Sequence, residues 1–401
     1  MATKVTPEVE TFARIKVVGA GGSGSNAVNH MVNEKVRGVE FIAVNTAAQD
    51  LHNTLAKRKI HIGKNLTKGL GAGMDPVIGK RAADETKEEI QEALKGADMV
   101  FLTGGMGGGT GTGAMPSIAQ VSRELGALTI GVVTKPFSFE GAQRMRIAQQ
   151  GLDELRKEVD ALVVIPNDRL FGIIQKDTSI NHAFKMCDEV LRQAVEGISD
   201  LITMPGIINV DFADIRAILQ NAGSALMGIG TATGEKRATE AAQMAINSPL
   251  LDVSVSGAKG VLFAIAGGDD LTMMEIQEAA KVITENVDKD AKIIFGAIKD
   301  DRLKKNEIKV TVIASGFPEN NGANPSLFQF GRKEVKEKEE TVGAKIAANK
   351  KEEAKMEREE MISAQAPKPA PTIELKPKAD DDEDEWGAIP AFLRRKKLGY
   401  S

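Results

Sequence analysis

Short apolar runs alternate along the chain with longer stretches in which apolar residues recur every three or four positions. From residue 14 to about 165 the order is IKVVGAG, NAVNHMVNE, FIAVNT, an amphipathic stretch from 79 to 96, DMVFLTGG, SIAQVSREL, LTIGVVTKPF, an amphipathic stretch from 141 to 158, and DALVVIP. The short runs read as buried strands and the longer stretches as helices. Their alternation predicts right-handed crossovers, and so a parallel sheet covered on both faces. Glycine-rich strand ends mark one edge of that sheet as the edge a ligand meets.

Residues 179 to 203 carry a long helical pattern with apolar positions at Ile180, Phe184, Val190, Leu191, Ala194 and Ile198, stopped by the breaker pair Pro205-Gly206. Beyond it the pattern predicts a helix at 211 to 221, a strand at 224 to 231, a helix at 234 to 247, a strand at 260 to 266, a helix at 271 to 287, and strands at 291 to 298 and 307 to 315. This is a second, smaller α/β unit with a mixed sheet, joined to the first by the long helix. The expected division is a flexible N-terminus (1–13), a nucleotide-binding domain (14–178), a central helix and connector (179–208), a second domain (209–316), a disordered linker (317–385) and a C-terminal peptide (386–401). The linker holds few aliphatic residues to offset the entropy of ordering it.

Composition narrows the classes. The formal charge of -4 over 401 residues suggests no nucleic acid partner. Cys187, the single cysteine, excludes an intramolecular disulfide and fits a reducing compartment. No long uncharged apolar stretch occurs, and the N-terminus lacks a basic start followed by an apolar run, so the expectation is a soluble, cytoplasmic chain. The histidines at 30, 52, 61 and 182 share no ligand-like spacing, which argues against a structural transition-metal site.

Two glycine-rich turns carry the candidate chemistry. The first strand runs into Gly19-Ala20-Gly21-Gly22-Ser23-Gly24-Ser25-Asn26, where bare backbone amides and a helix N-terminus can face an anion. Gly19, Gly21 and Gly24 match the GxGxxG fingerprint, which alone divides evenly between nucleotide binding and a plain tight turn, and which admits a Rossmann oxidoreductase. The second turn, Met106 to Gly113, follows DMVFLTGG and precedes a helix expected to begin near Ala114. Its glycines would each cost ~0.5–1 kcal/mol relative to alanine if they were merely structural. Something there needs bare backbone. The hydroxyls of Thr110 and Thr112 can add hydrogen bonds to phosphate, and no lysine follows, so this is not a P-loop.

GGGTGTG at 107 to 113 resembles the signature of the tubulin and FtsZ superfamily in its FtsZ form, the bacterial cell-division branch. The similarity extends from about residue 14 to 316 through GGSGSNAVNHM, FIAVNT, TKGLGAGMDPVIG, TKPFSFEGAQRM, IPNDRL and PGIINVDFADIR. Ser23 and Ser25 stand where many relatives have glycine, and Ala47 where an acid is common. The resemblance implies a GTPase that binds GTP or GDP through Gly21, Gly22, Ser23, Gly24, Ser25, Asn26, Gly71, Ala72, Gly73, Gly107, Gly108, Gly109, Thr110, Gly111, Thr112, Glu140, Arg144, Asn167 and Asp188. Mg²⁺ is expected to be held mainly by the nucleotide phosphates, with no metal ligand from the protein.

Guanine presents N1–H and N2–H₂ donors on one edge, which a carboxylate accepts. By resemblance Asp188 takes that part, with Asn167 beside the base, although an exposed helix-face acid would look the same in isolation. Glu140 and Arg144, four apart, read from the residues alone as a surface pair, and by resemblance as ribose and phosphate contacts. Gly69 to Gly73 form a loop suited to closing over a γ-phosphate. Asn209, Asp211 and Asp214 lie after the Pro205-Gly206 break, at a predicted helix start where Asp211 would serve as an N-cap. By resemblance they are catalytic in trans, completing the site of the neighbouring subunit. That makes the chain a head-to-tail homopolymer whose filaments form the division ring at midcell. A non-hydrolysing structural filament is the remaining alternative, and Asp211 and Asp214 speak against it.

The tail ends in WGAIPAFL (386–393) after six consecutive acids, Asp380 to Glu385. Apolar groups isolated from any core read as a docking peptide. By resemblance Trp386, Ile389, Pro390, Phe392 and Leu393 bind membrane-anchoring and regulatory division proteins, so membrane contact is mostly indirect. Arg394 to Lys397 could add weak attraction to anionic lipid.

Overall fold

The computed structural model describes residues 13–172, 178–204, 206–248, 255 and 257–317. The chain divides into two units, Met1–Glu319 and Asn320–Ser401; the second, which contains the expected docking peptide and nearly all of the expected linker, lies outside the described residues.

The strands are β1 (Ile15–Ala20), β2 (Val39–Asn45), β3 (Arg58–His61), β4 (Met99–Gly105), β5 (Leu128–Lys135), β6 (Ala161–Pro166), β7 (Gly206–Ile208), β8 (Gly223–Thr233), β9 (Gly260–Gly267), β10 (Lys292–Lys299) and β11 (Glu307–Ser315). The helices are α1 (Gly21–Asn33), α2 (Ala48–Asn53), α3 (Lys64–Thr67), α4 (Pro76–Glu85), α5 (Lys87–Leu94), α6 (Thr110–Glu124), α7 (Ala142–Glu158), α8 (Ile180–Thr203), α9 (Phe212–Leu219), α10 (Arg237–Ile246) and α11 (Met273–Thr284). Strands β1 to β6 pair in parallel in the order β3-β2-β1-β4-β5-β6, each crossover carrying one or more helices. β1 is buried at every position, as a strand covered on both faces must be.

The expected mixed sheet in the second half is present, but it is continuous with the first. β6 pairs in parallel with β8 through Ala161↔Gly223, Leu162↔Ser224 and Val163↔Ala225, which makes one sheet of eleven strands. β8, β11 and β9 are antiparallel neighbours, and β10 runs parallel to β9. β7, in the expected connector, adds an antiparallel edge to β10.

Helix α8 holds the halves together. Ser179 caps its start, accepting from His182 N at 3.3 Å. Its buried residues Leu191, Ala194, Val195 and Ile198 share one core with Val17 and Phe101 of the first half and with Leu262 and Ile313 of the second. A second core lies between the sheet and helices α4 to α7, and a third under α10 and α11. Polar side chains also pin α8: Arg302, before β11, reaches Glu196 at 2.6 Å and Asp200 at 2.8 Å.

Two predicted helices differ. The stretch from 79 to 96 is two helices, meeting at Thr86. The helix expected near Ala114 begins at Thr110, because Gly113 is helical and faces α4, where any side chain would overlap the Pro76 carbonyl. Among the described residues no helix is long and apolar enough to cross a membrane, and no cluster of side chains has a metal-ligand arrangement.

Candidate active site

At the C-terminal ends of β1, β2, β4 and β5 the chain leaves the sheet through turns that surround a cavity of about 400 Å³. This is the edge where a parallel sheet collects ligands. Gly21, Gly22, Ser23 and Asn26 line it from the first turn, and Gly108, Gly109, Thr110 and Gly111 from the second. Gly71, Ala72 and Gly73 line it from the loop before α4, Glu140 and Arg144 from the approach to α7, Asn167 from the end of β6 and Asp188 from α8. The two glycine turns face each other closely: a side chain at Gly21, whose φ is +72, would meet Gly111 N at 3.0 Å. The result is a concave wall of backbone amides.

Four of the expected contacts do not line the cavity. Gly24 packs α1 on the sheet, where a methyl would lie 2.7 Å from the Thr103 carbonyl oxygen. Ser25 is buried beside it. Gly107, with φ +98, turns the chain beneath Arg144. Thr112 Oγ1 accepts from Gly107 N at 2.8 Å and so braces the turn from behind. These residues shape the glycine turns, and the surface itself comes from their neighbours.

Other residues line the cavity without having been singled out as its contacts. Asn45 ends β2, its Oδ1 accepting from Ala47 N at 3.3 Å. Asp50, Thr134, Phe184 and Cys187 are there as well. Phe184 and Cys187 sit one helical turn and one residue before Asp188, so the pattern that placed Phe184 on α8's apolar face carried the signal.

The electrostatics of the pocket are uneven. Burial lifts the Asp188 carboxyl to about 6, against the opposing pull of His30. Burial, with the Asp188 charge, pushes the Cys187 thiol up to about 12, so it stays protonated and unreactive. Burial also disfavours the carboxylate of Glu189, beside the cavity, but bonds from Arg192 and His30 outweigh it and lower its pKa to about 2. Arg144 Nη1 lies 3.2 Å from Glu140 Oε2, while Arg144 Nε is buried with no partner among the described residues. Asn167 Oδ1 is likewise buried and has no partner among the described residues. A buried polar atom without a partner is costly, so two such atoms on a cavity wall fit a ligand that supplies an acceptor and a donor.

Asn209, Asp211 and Asp214 stand elsewhere. Asp211 occupies the N-cap position of α9, yet its side chain makes no cap hydrogen bond, so capping does not explain its carboxylate. Asn209 Oδ1 accepts from Gly206 N at 2.8 Å. Their helix lies at the far edge of the sheet: Arg216 Nη2 donates to the carbonyl of Gly126, just before β5 begins, at 3.3 Å. Thr203, at the end of α8, abuts Gly38, just before β2 begins. From Asp188 to Thr203 the helix climbs about 22 Å at 1.5 Å per residue. None of Asn209, Asp211 and Asp214 lines the cavity of its own molecule.

A GTPase-domain model of the Tubulin/FtsZ family matches residues 14–175, and a model of the FtsZ family C-terminal domain matches residues 223–318. Among solved structures, an empty FtsZ dimer from M. jannaschii is 48% identical with a TM-score of 0.74, the match covering 77% of this chain and 89% of that one. CetZ2 from Haloferax volcanii, in a GTPgS-bound protofilament, is 20% identical with a TM-score of 0.67 over 77% of this chain and 94% of that one, a likeness of fold. Both halves of the chain, the glycine turns included, thus fall within one family's bounds, and the protein is a member of the FtsZ family of tubulin-like GTPases.

Proposed function

We propose that GTP binds in the cavity at the C-terminal edge of the sheet and is hydrolysed only when a second copy docks its α9 edge over it. The observation that carries this reading is the separation just described: a cradle of glycine turns at one edge of the sheet and, at the other, the exposed Asn209 and Asp211 with the half-buried Asp214. Asp188 accepts from guanine N1–H and N2–H₂, Asn167 Oδ1 takes a donor from the base, and the amides of Gly21, Gly22, Gly108 and Gly109 hold the phosphates. Glu140 meets the ribose and Arg144 Nε a phosphate oxygen. Gly71 to Gly73 close over the γ-phosphate.

Asp211 and Asp214 of the docked copy, with Asn209, orient the attacking water and draw its proton. Phosphoryl transfer asks chiefly for positioning and charge stabilisation, so acids supplied in trans suffice as a trigger. A bound Mg²⁺, held mainly by phosphate oxygens, would neutralise charge on the phosphates; the hydroxyl and carboxylate oxygens on the wall suit such a hard cation.

A contact between unlike faces cannot close as a two-fold pair and so propagates as a head-to-tail filament. Such filaments form the division ring at midcell in this reading, with Trp386, Ile389, Pro390, Phe392 and Leu393 docking membrane-anchoring and regulatory partners. Emission from Trp386, the only tryptophan, reports that docking directly. Phosphate release with GTP and Mg²⁺, followed with light scattering across protein concentrations, tests the core of the reading. Turnover per subunit should rise cooperatively above a threshold concentration; equal turnover in dilute, unassembled protein would sink it.

A further inference from the structure

Three carboxylates line the cavity: Asp50, Glu140 and Asp188. Glu140 faces Arg144 at 3.2 Å and accepts from Phe137 N at 2.8 Å. Asp188, in the reading above, meets the base. Asp50 has neither role. Its Oδ2 accepts from Asn45 Nδ2 at 3.4 Å, and among the described residues no lysine or arginine pairs with it.

Its position is what needs explaining. Asp50 Oδ2 lies 3.5 Å from where a side chain on Gly22 would begin, against the turn whose bare amides suit an anion. A carboxylate beside a phosphate site repels the phosphate it should help hold, because like charges at close range disfavour each other. A cation between them reverses the sign. The oxygens gathered here fit one: the Asp50 carboxylate and the hydroxyl of Thr110, which lies 2.6 Å from that of Thr46. Mg²⁺ takes such hard oxygen donors and keeps several waters, commonly with one or two carboxylates and the substrate phosphates.

We propose that Asp50 is the residue of this chain that positions the divalent cation on GTP, gripping its water shell from the β2–α2 side. The proposal deepens the nucleotide reading and rests on it. Asp50 is exposed, so its replacement does not threaten the core.

The test uses the full-length chain and Asp50→Asn, each loaded with a non-hydrolysable GTP analogue and titrated with Mn²⁺, the free ion being read by electron paramagnetic resonance. Analogue affinity is measured in parallel in EDTA. Asp50→Asn should weaken Mn²⁺ binding about tenfold, the low end for groups that hold a metal's outer shell. Its analogue affinity in EDTA should be equal or tighter, since a like charge has gone. Unchanged Mn²⁺ affinity overturns the proposal and leaves Asp50 a solvated surface acid. Weaker analogue binding in EDTA also overturns it, since Asp50 then contacts the nucleotide itself. A wild-type chain that fails to bind the analogue at all sinks the pocket reading beneath it, a failure seen before any metal is added.

Discussion

The hydroxyls of Thr46 and Thr110 lie 2.6 Å apart and join the end of β2 to the first residue of α6. Thr46 is fully buried, and its carbonyl accepts from Thr67 Oγ1 at 3.3 Å. One threonine thus ties together the second strand, the second glycine turn and the segment leading into the loop of Gly71 to Gly73, which lines the cavity with them.

Thr46→Val keeps the shape of the side chain and removes the hydroxyl. The net loss of one such hydrogen bond is about 1 kcal/mol, and if it falls on the geometry of the pocket, the Kd for GDP rises about fivefold. Displacement of a fluorescent GDP analogue measures it. An unchanged Kd with an unchanged urea midpoint would mean that the pair does not hold the glycine turn in place.

The proposed division of the site between two molecules predicts complementation. Asp214→Ala keeps its cavity and loses an acid. Gly109→Val fills the cavity wall, where a side chain would lie 2.8 Å from Asp75 N, and keeps its acids. Each should hydrolyse GTP at under a tenth of the wild-type rate, consistent with the two to four decades a positioned acid–base group contributes, about 10²–10⁴. Mixed in equal amounts they should regain turnover, because the cavity of the first can meet the acids of the second. Phosphate release from the mixture no greater than the average of the two separate samples would refute the division.

Much of the fold was legible because buried parallel strands must be apolar on both faces, and their runs survive in sequence as IKVVGAG or DMVFLTGG. The pairing of β6 with β8 was not, since Ala161 and Gly223 meet through tertiary packing that no local pattern encodes. Nor was β7, three residues beside a breaker pair. The glycines of 107 to 113 were read as one surface for an anion. Only some face the cavity, while Gly113 lets α6 approach α4, and the two uses leave the same letter in the sequence. Asp50 escaped notice for a related reason: on a six-residue helix it has too little periodicity to show which way it points.

Asp188 gives the site a pH dependence. Burial raises its pKa to about 6, so in the free protein the charged form is held at a cost above that pH. Guanine recognition by Asp188, as proposed, needs the charged form, so affinity for GTP should be flat at neutral pH and fall as pH drops through about 6, approaching tenfold per unit below it. The stability of the free chain moves the other way: this group favours the folded state more as it takes up its proton. Isothermal titration across pH 5 to 8 reads the first effect. Asp188→Asn should abolish the step and narrow the preference for GTP over ATP; a step that survives the substitution belongs to another group.

Arg302 anchors the second half of the sheet to α8, and its removal should be felt as unpaired charge. The side chain reaches Asp300 at 2.8 Å, Glu196 at 2.6 Å and Asp200 at 2.8 Å, and those three acids are 6%, 4% and 11% exposed. Burial, followed by the Glu196 charge, already raises the Asp200 pKa, with Arg302 pulling it back. Without the guanidinium Asp200 and Asp300 lose their ion-pair partner, while Glu196 keeps Arg192 and Lys309, the latter at 3.8 Å. Breaking a buried pair costs about 3–5 kcal/mol, and because Arg302 itself is 41% exposed, Arg302→Ala should sit at the lower end, about 3 kcal/mol at neutral pH. The deficit should shrink in acid, since carboxylates whose folded pKa lies above the unfolded value add stability as they take up protons. Arg302→Lys restores the charge but not the fork that reaches several acids at once, and should recover only part of the loss. Urea unfolding of the three proteins at neutral pH and again near pH 5 decides the matter: a deficit of the same size at both would mean that packing, and not stranded charge, is what Arg302 supplies.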